Sequence, residues 1–183
     1  PQPLRSGSTR LPYDALMDAG HVVTPPYVAG PLRLVPFPGM RLAPHRVGDP
    51  STGRAFARPY RGVTARLMRW QHRGLLRRDE EPALYLHEYT AAGLTVRGLV
   101  GALDVSRRAT RPEDRAVLPH EGIHPAQADD LADRMAEMGL NPAPILLVHH
   151  GTDQLRRIVA DVAATDPDHA FTDRSDQRHR IWA

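Results

Sequence analysis

The chain of 183 residues contains no cysteine and no lysine. Without thiols there can be no disulfide, thiolate nucleophile, iron–sulfur cluster or cysteine-ligated zinc, which fits a reducing, cytoplasmic setting. Without lysine there is no Schiff base, no covalent pyridoxal phosphate, and no P-loop or protein-kinase lysine. All 24 basic residues are arginine. Any phosphate the protein holds must therefore rest on guanidinium groups, backbone N–H groups or histidine. Aromatic residues are sparse, at 5 %. No apolar run approaches the roughly 20 residues that a membrane helix needs, and no apolar segment follows Arg5 and Arg10 as it would in a signal peptide. The five serines include no G-x-S-x-G elbow, so a serine triad is not indicated.

What is present is ordinary for a globular protein: 41 % hydrophobic and 25 % charged residues. The net charge of +3 is spread among 21 acids. Its one basic stripe, Arg66, Arg69, Arg73, Arg77 and Arg78, reads as a solvated helix face, so nucleic acid is not an expected partner.

Eleven of the 18 prolines lie in residues 1–59, which excludes a continuous helix or a sheet interior there. Residues 1–30 read as an irregular proline-rich arm and residues 31–183 as one domain. Residues 32–37 suit a short edge strand. Val63, Leu67 and Trp70 mark one face of a helix over 60–76. Residues 82–90 and 94–103 read as a hairpin about Gly93. A helix over 126–138 is expected to bury Ala128, Leu131, Met135 and Met138, and to stop at Gly139. Residues 144–149 read as a buried strand. Thr152 caps a helix carrying Leu155, Ile158, Val159 and Val162. Short strands over 170–172 and 178–182 follow. Strands and helices mix without strict βαβ alternation, so the class expected is α+β, a mixed sheet with amphipathic helices. The chain stops at Ile181-Trp-Ala183, inside a strand pattern, as the N-terminal part of a larger fold would.

His120-Glu121-Gly122-Ile123-His124 matches H-E-x-x-H, which binds zinc when a helix puts both histidines on one face. Pro119, Gly122 and Pro125 oppose that helix: a helix running through Pro125 would lose a hydrogen bond and cost about 3 kcal/mol. Pro125 suits the first turn of the next helix instead. A zinc hydrolase using His120, Glu121 and His124, with a third ligand from Asp129, Asp130, His149 or His150, stands as one alternative. A non-catalytic scaffold, exposing an apolar patch or sheet edge, stands as another. His87 and Glu88 alternate along a strand and must point to opposite faces.

Several stretches together resemble the bacterial domain-of-unknown-function family 1015 in its actinobacterial form. They are Leu34-Val-Pro-Phe-Pro-Gly-Met-Arg41, Arg46-Val-Gly-Asp49, Glu81-Pro-Ala-Leu-Tyr-Leu-His-Glu-Tyr89, Thr95-Val-Arg-Gly-Leu-Val-Gly-Ala-Leu103, Val117-Leu-Pro-His-Glu121, residues 141–147 and His179-Arg-Ile-Trp182. The resemblance spans residues 31–183. The full family is distantly similar to the ParB-like fold, which includes nucleotide-dependent free-serine kinases. That likeness implies a nucleotide or phosphometabolite ligand and a phosphotransferase-like domain, with His120 or Glu121 as proton acceptor. The candidate substrate contacts are Asp130, Asn141 and His149, the last because strand ends often face a ligand crevice. The family's Asp-Gly-His-His-Arg phosphate string is absent from this sequence, and the resemblance specifies no cofactor.

Overall fold

The computed structural model describes residues 27–47, 49, 62–118, 125–141 and 144–183. Its elements, in chain order, are β1 (Leu34–Val35), β2 (Met40–Leu42), a 3-10 turn (Pro44–Arg46), α1 (Val63–His72), β3 (Leu76–Arg78), β4 (Tyr85–Ala91), β5 (Leu94–Val100), β6 (Ala102–Leu103), a second 3-10 turn (Pro112–Asp114), α2 (Pro125–Met138), α3 (Asp153–Ala163), β7 (His169–Thr172) and β8 (Arg178–Trp182). Every strand pairing is antiparallel, and helices and strands do not alternate as βαβ units, so the class is α+β. No helix among the described residues is long and apolar enough to cross a membrane.

The main sheet has four strands in the order β5-β4-β8-β7. Two short pairs, β1 with β6 and β2 with β3, flank it. β4 and β5 are joined by Ala92-Gly93, both at positive φ (48° and 80°). That tight turn matches the right-handed twist of the strands it joins. β5 and β6 run on through Gly101, where an added Cβ would come within 2.8 Å of Leu84. The glycine lets the chain leave the main sheet and pair with β1 at Leu34↔Leu103.

Two apolar clusters hold the fold. Val63, Leu67 and Trp70 of α1 pack with Leu76 and Met138, and Met40, Leu42, Leu75 and Leu140 close around them. α1 ends earlier than the periodicity suggests, at His72, because Gly74 turns the chain at φ 67° and Leu76–Arg78 then pairs with Met40–Leu42. The second cluster seats α3 on the main sheet: Val159, Val162 and Ala163 meet Leu86 and Trp182. Thr152 caps α3, its hydroxyl oxygen accepting the Leu155 N–H at 3.1 Å, as the sequence predicts.

Two burial expectations fail. α2 meets α1 through its last turn, where Met138 is buried and the Thr64 hydroxyl donates to the Glu137 carbonyl. Of its earlier apolar positions Ala128 is exposed, Leu131 is 43 % exposed and Met135 is half-buried. The run at 145–148 is not a buried strand. It pairs with no described strand, and Ile145, Leu146 and Val148 are 82, 85 and 91 % exposed. An apolar run shows that residues suit a strand, yet a strand also needs a ladder to join.

Residues 27–30 are tied down by bridges from Val28 to Arg108 and from Ala29 to Arg115. The rest of the proposed arm, residues 1–26, lies outside the described residues.

Candidate functional site

Register decides what each face of the main sheet presents. On the front face, side chains stand in three levels across the strands. Leu86 and Trp182 form the lowest and are covered by α3. Above it run Arg97, Glu88, Arg180 and Ala170 in order, and above those Thr95, Thr90, Arg178 and Thr172. α3 covers only the apolar level. The two polar levels, with Phe171 and His179 between them in sequence, line an open concavity of about 650 Å³.

Glu88 is the pivot of this face. Its side chain is 8 % exposed, yet it is fully partnered: Arg97 Nε donates to one carboxylate oxygen at 2.6 Å and Arg180 Nη1 reaches the other at 3.3 Å. The Arg97 hydrogen bond is the largest influence on Glu88, and with Arg180 it outweighs burial, holding the carboxyl below its ordinary value. Arg180 is fixed further by the Ala163 carbonyl at 3.5 Å and by its stack on Trp182, 4.6 Å from the ring centre. The Thr90 and Thr95 hydroxyls share a hydrogen bond of 2.8 Å. Arg178 is exposed, and among the described residues no acid pairs with it. Three guanidinium groups and three threonines thus surround one carboxylate that is already neutralised. A surface built this way attracts anions.

The back face presents His87, Tyr89, His179, Phe171 and His169. His87 and Glu88 do point opposite ways, as strand alternation requires.

The described residues that sequence pattern singled out do not line the front-face concavity. His120, Glu121 and His124, including the H-E-x-x-H string, fall outside the described residues. Asp130 is bonded along α2 to Arg134 at 2.5 Å, and Asn141 is exposed just past the end of α2. His149 is exposed on the loop before α3, its ring lying against Gly151. None of these three lines the concavity. Among the described residues no group of three or more histidines and acids is placed to hold a metal ion. The front-face set went unread because it is assembled from four strands. Its local signal was polar residues at every second position, 88 and 90, 95 and 97, 178 and 180, in strands whose other positions are mostly apolar or aromatic.

A family model described as "Protein of unknown function (DUF1015)" matches residues 37–183, most of the chain. The chain belongs to that family. DUF1015 residues here include every side chain that lines the front-face concavity and all of the main sheet. No curated protein and no solved structure matches the chain.

Proposed function

We propose that this chain binds a phosphate-bearing small molecule, a nucleotide or phosphometabolite, on the front face of its main sheet. The observation that carries the reading is Arg178, an exposed arginine without an acidic partner among the described residues, set beside Arg180 and Arg97 in a concavity whose one acid is already neutralised. Guanidinium groups offer the planar two-pronged contact that phosphate oxygens take, and threonine hydroxyls can complete the shell. About 650 Å³ suits a ligand of nucleotide size.

Glu88 is not the base of a transfer reaction in this reading. Two guanidinium groups stabilise its anion and make it a weak proton acceptor. It holds Arg97 and Arg180 in place. If the chain also transfers the phosphoryl group, the proton of the attacking hydroxyl passes to His120 or Glu121.

The test is the melting temperature with ATP, AMP and inorganic phosphate, repeated in Arg178→Ala. A ligand at a hundred times its Kd adds about 2.7 kcal/mol and a clear upward shift. That shift should vanish in Arg178→Ala, whose own melting point stays near the parent's because the side chain is exposed. No shift with any of the three, or an undiminished shift in Arg178→Ala, removes the proposal. Transfer is tested separately: Glu121→Ala or His120→Ala should stop turnover of ATP and leave binding intact.

A further inference from the structure

The back face of the sheet carries a hydrogen-bonded chain that the proposed anion contacts, Arg97, Arg178 and Arg180, do not use. Asp173, in the turn between β7 and β8, accepts the backbone N–H groups of Ser175 (2.8 Å) and Gln177 (3.0 Å) on one oxygen. Its other oxygen faces His179 Nε2 at 3.3 Å. His179 Nδ1 in turn meets His87 Nε2 at 3.0 Å. Burial works against the charge on Asp173, but the Gln177, Ser175 and His179 contacts overcome it and hold the carboxyl below its ordinary value.

An ionised Asp173 can only accept, which fixes the direction of the chain. His179 donates from Nε2 to Asp173, accepts at Nδ1, and receives the Nε2–H of His87. The remaining nitrogen of His87, Nδ1, is then an acceptor with a free lone pair, and no described residue bonds to it. His179 cannot swing out of the relay. It is buried, and its ring is stacked between Phe171 at 4.8 Å and His87 at 5.3 Å.

Next to His87, on β5, the register places Gly98. A Cβ added there would meet nothing within 4 Å. A glycine inside a strand with open space over it is where another molecule can approach the backbone. The side chains around the gap, Val96 and Tyr89, are uncharged. On this face His169 is engaged by Arg41, which also pairs with Asp79 at 2.6 Å. No free cation among the described residues is at hand to hold a phosphate.

We propose that His87 is a general base for a second site, poised by Asp173 through His179, acting on water directed at a small uncharged acyl ester seated over Gly98. In the step, the water oxygen bonds to the carbonyl carbon and one water proton passes to His87 Nδ1. The alcohol leaves with the electron pair of the broken C–O bond and takes up the proton that His87 held, leaving a carboxylic acid. His179 and Asp173 are positioning residues: they hold the imidazole in the tautomer that exposes Nδ1.

The probe is 4-nitrophenyl acetate, followed by release of 4-nitrophenol across pH 5.5–8.5. His87→Gln should remove most of the rate above buffer, about tenfold or more. Gly98→Val should do the same with its melting point close to the parent's, since a Cβ added there meets nothing within 4 Å. Asp173→Asn should lower the rate and reshape the pH profile, and Asp173→Glu should restore part of it. A rate that survives His87→Gln, or one equal to the parent's in a folded Gly98→Val, overturns the proposal. So does a pH profile identical in Asp173→Asn and the parent.

Discussion

Arg97 and Arg180 grip Glu88 from opposite sides, one from β5 and one from β8, and bind different oxygens of its carboxylate. The three strands β5, β4 and β8 are thereby fastened at one level, by the same groups that would face a ligand.

Replacing the carboxylate should therefore have two effects of opposite sign. Glu88→Gln keeps the shape but removes the charge that both guanidinium groups answer. Those arginines are 46 and 38 % exposed, so water takes up part of the loss, and the destabilisation should be about 1–2 kcal/mol, less than for a fully buried pair. Anion affinity should rise, because two positive charges are released from their acid. Melting curves read the first effect and calorimetric titration with phosphate the second.

The back face should make stability fall at mildly acid pH. His87 is held below its ordinary value of 6.5, first by burial and then by the neighbouring His179. Below about pH 6.5 the unfolded chain takes up this proton before the folded one does. The stability it contributes is therefore present above that pH and is lost as the pH falls toward the folded value. Melting temperature against pH should drop through this region, and the drop should shrink in His87→Gln. Glu88, also held low, adds its own loss only at lower pH, below about 4.5.

Gly39 should tolerate no side chain. An added Cβ would lie 2.7 Å from the Tyr85 hydroxyl oxygen. That oxygen accepts the Gly39 N–H and donates to Asp79, both at 2.8 Å. Gly39→Ala should destabilise by about 1–3 kcal/mol in urea unfolding, by overpacking and loss of these bonds. Gly98→Ala, into open space, should be neutral or slightly stabilising.

The run at 145–148 should be sticky without being structural. Leu146→Glu together with Val148→Glu replaces two side chains that are more than four-fifths exposed. The melting point should move by no more than about 0.5 kcal/mol equivalent, while light scattering should show less self-association. A large loss of stability would mean that this segment is packed in solution.

How much of this was legible depended on whether the signal was local. The cap and helix of α3 could be read directly, because Thr152, Leu155, Val159 and Val162 lie within three turns of one another, although of the expected apolar stripe Val159 and Val162 pack on the sheet and Ile158 is 51 % exposed. The β4–β5 hairpin was legible for the same reason. β3 was not: Arg77 and Arg78 continue the basic stripe of α1 in sequence, and only the left-handed Gly74 and the partner strand 36 residues upstream separate them in space. Leu131 and residues 145–148 show a further limit, since an apolar pattern names a face without supplying anything to cover it. The front-face site joins residues 88, 97 and 180, and no short motif spans such distances. The H-E-x-x-H string drew notice because it is contiguous.

The central place of β8 also bears on the order of assembly. Arg97 and Glu88 lie nine residues apart and can meet as soon as the hairpin closes. Arg180 must close a loop of 92 residues to reach the same carboxylate, and the entropy of that closure is lost before any contact offsets it. Refolding should thus pass through a hairpin with half its charge clamp made and Leu86 still uncovered. Pulse-labelled hydrogen exchange should protect the amides paired within the β4–β5 and β7–β8 hairpins ahead of those that join β4 to β8, so both faces of the sheet become chemically competent together, in the last step, when the two hairpins dock.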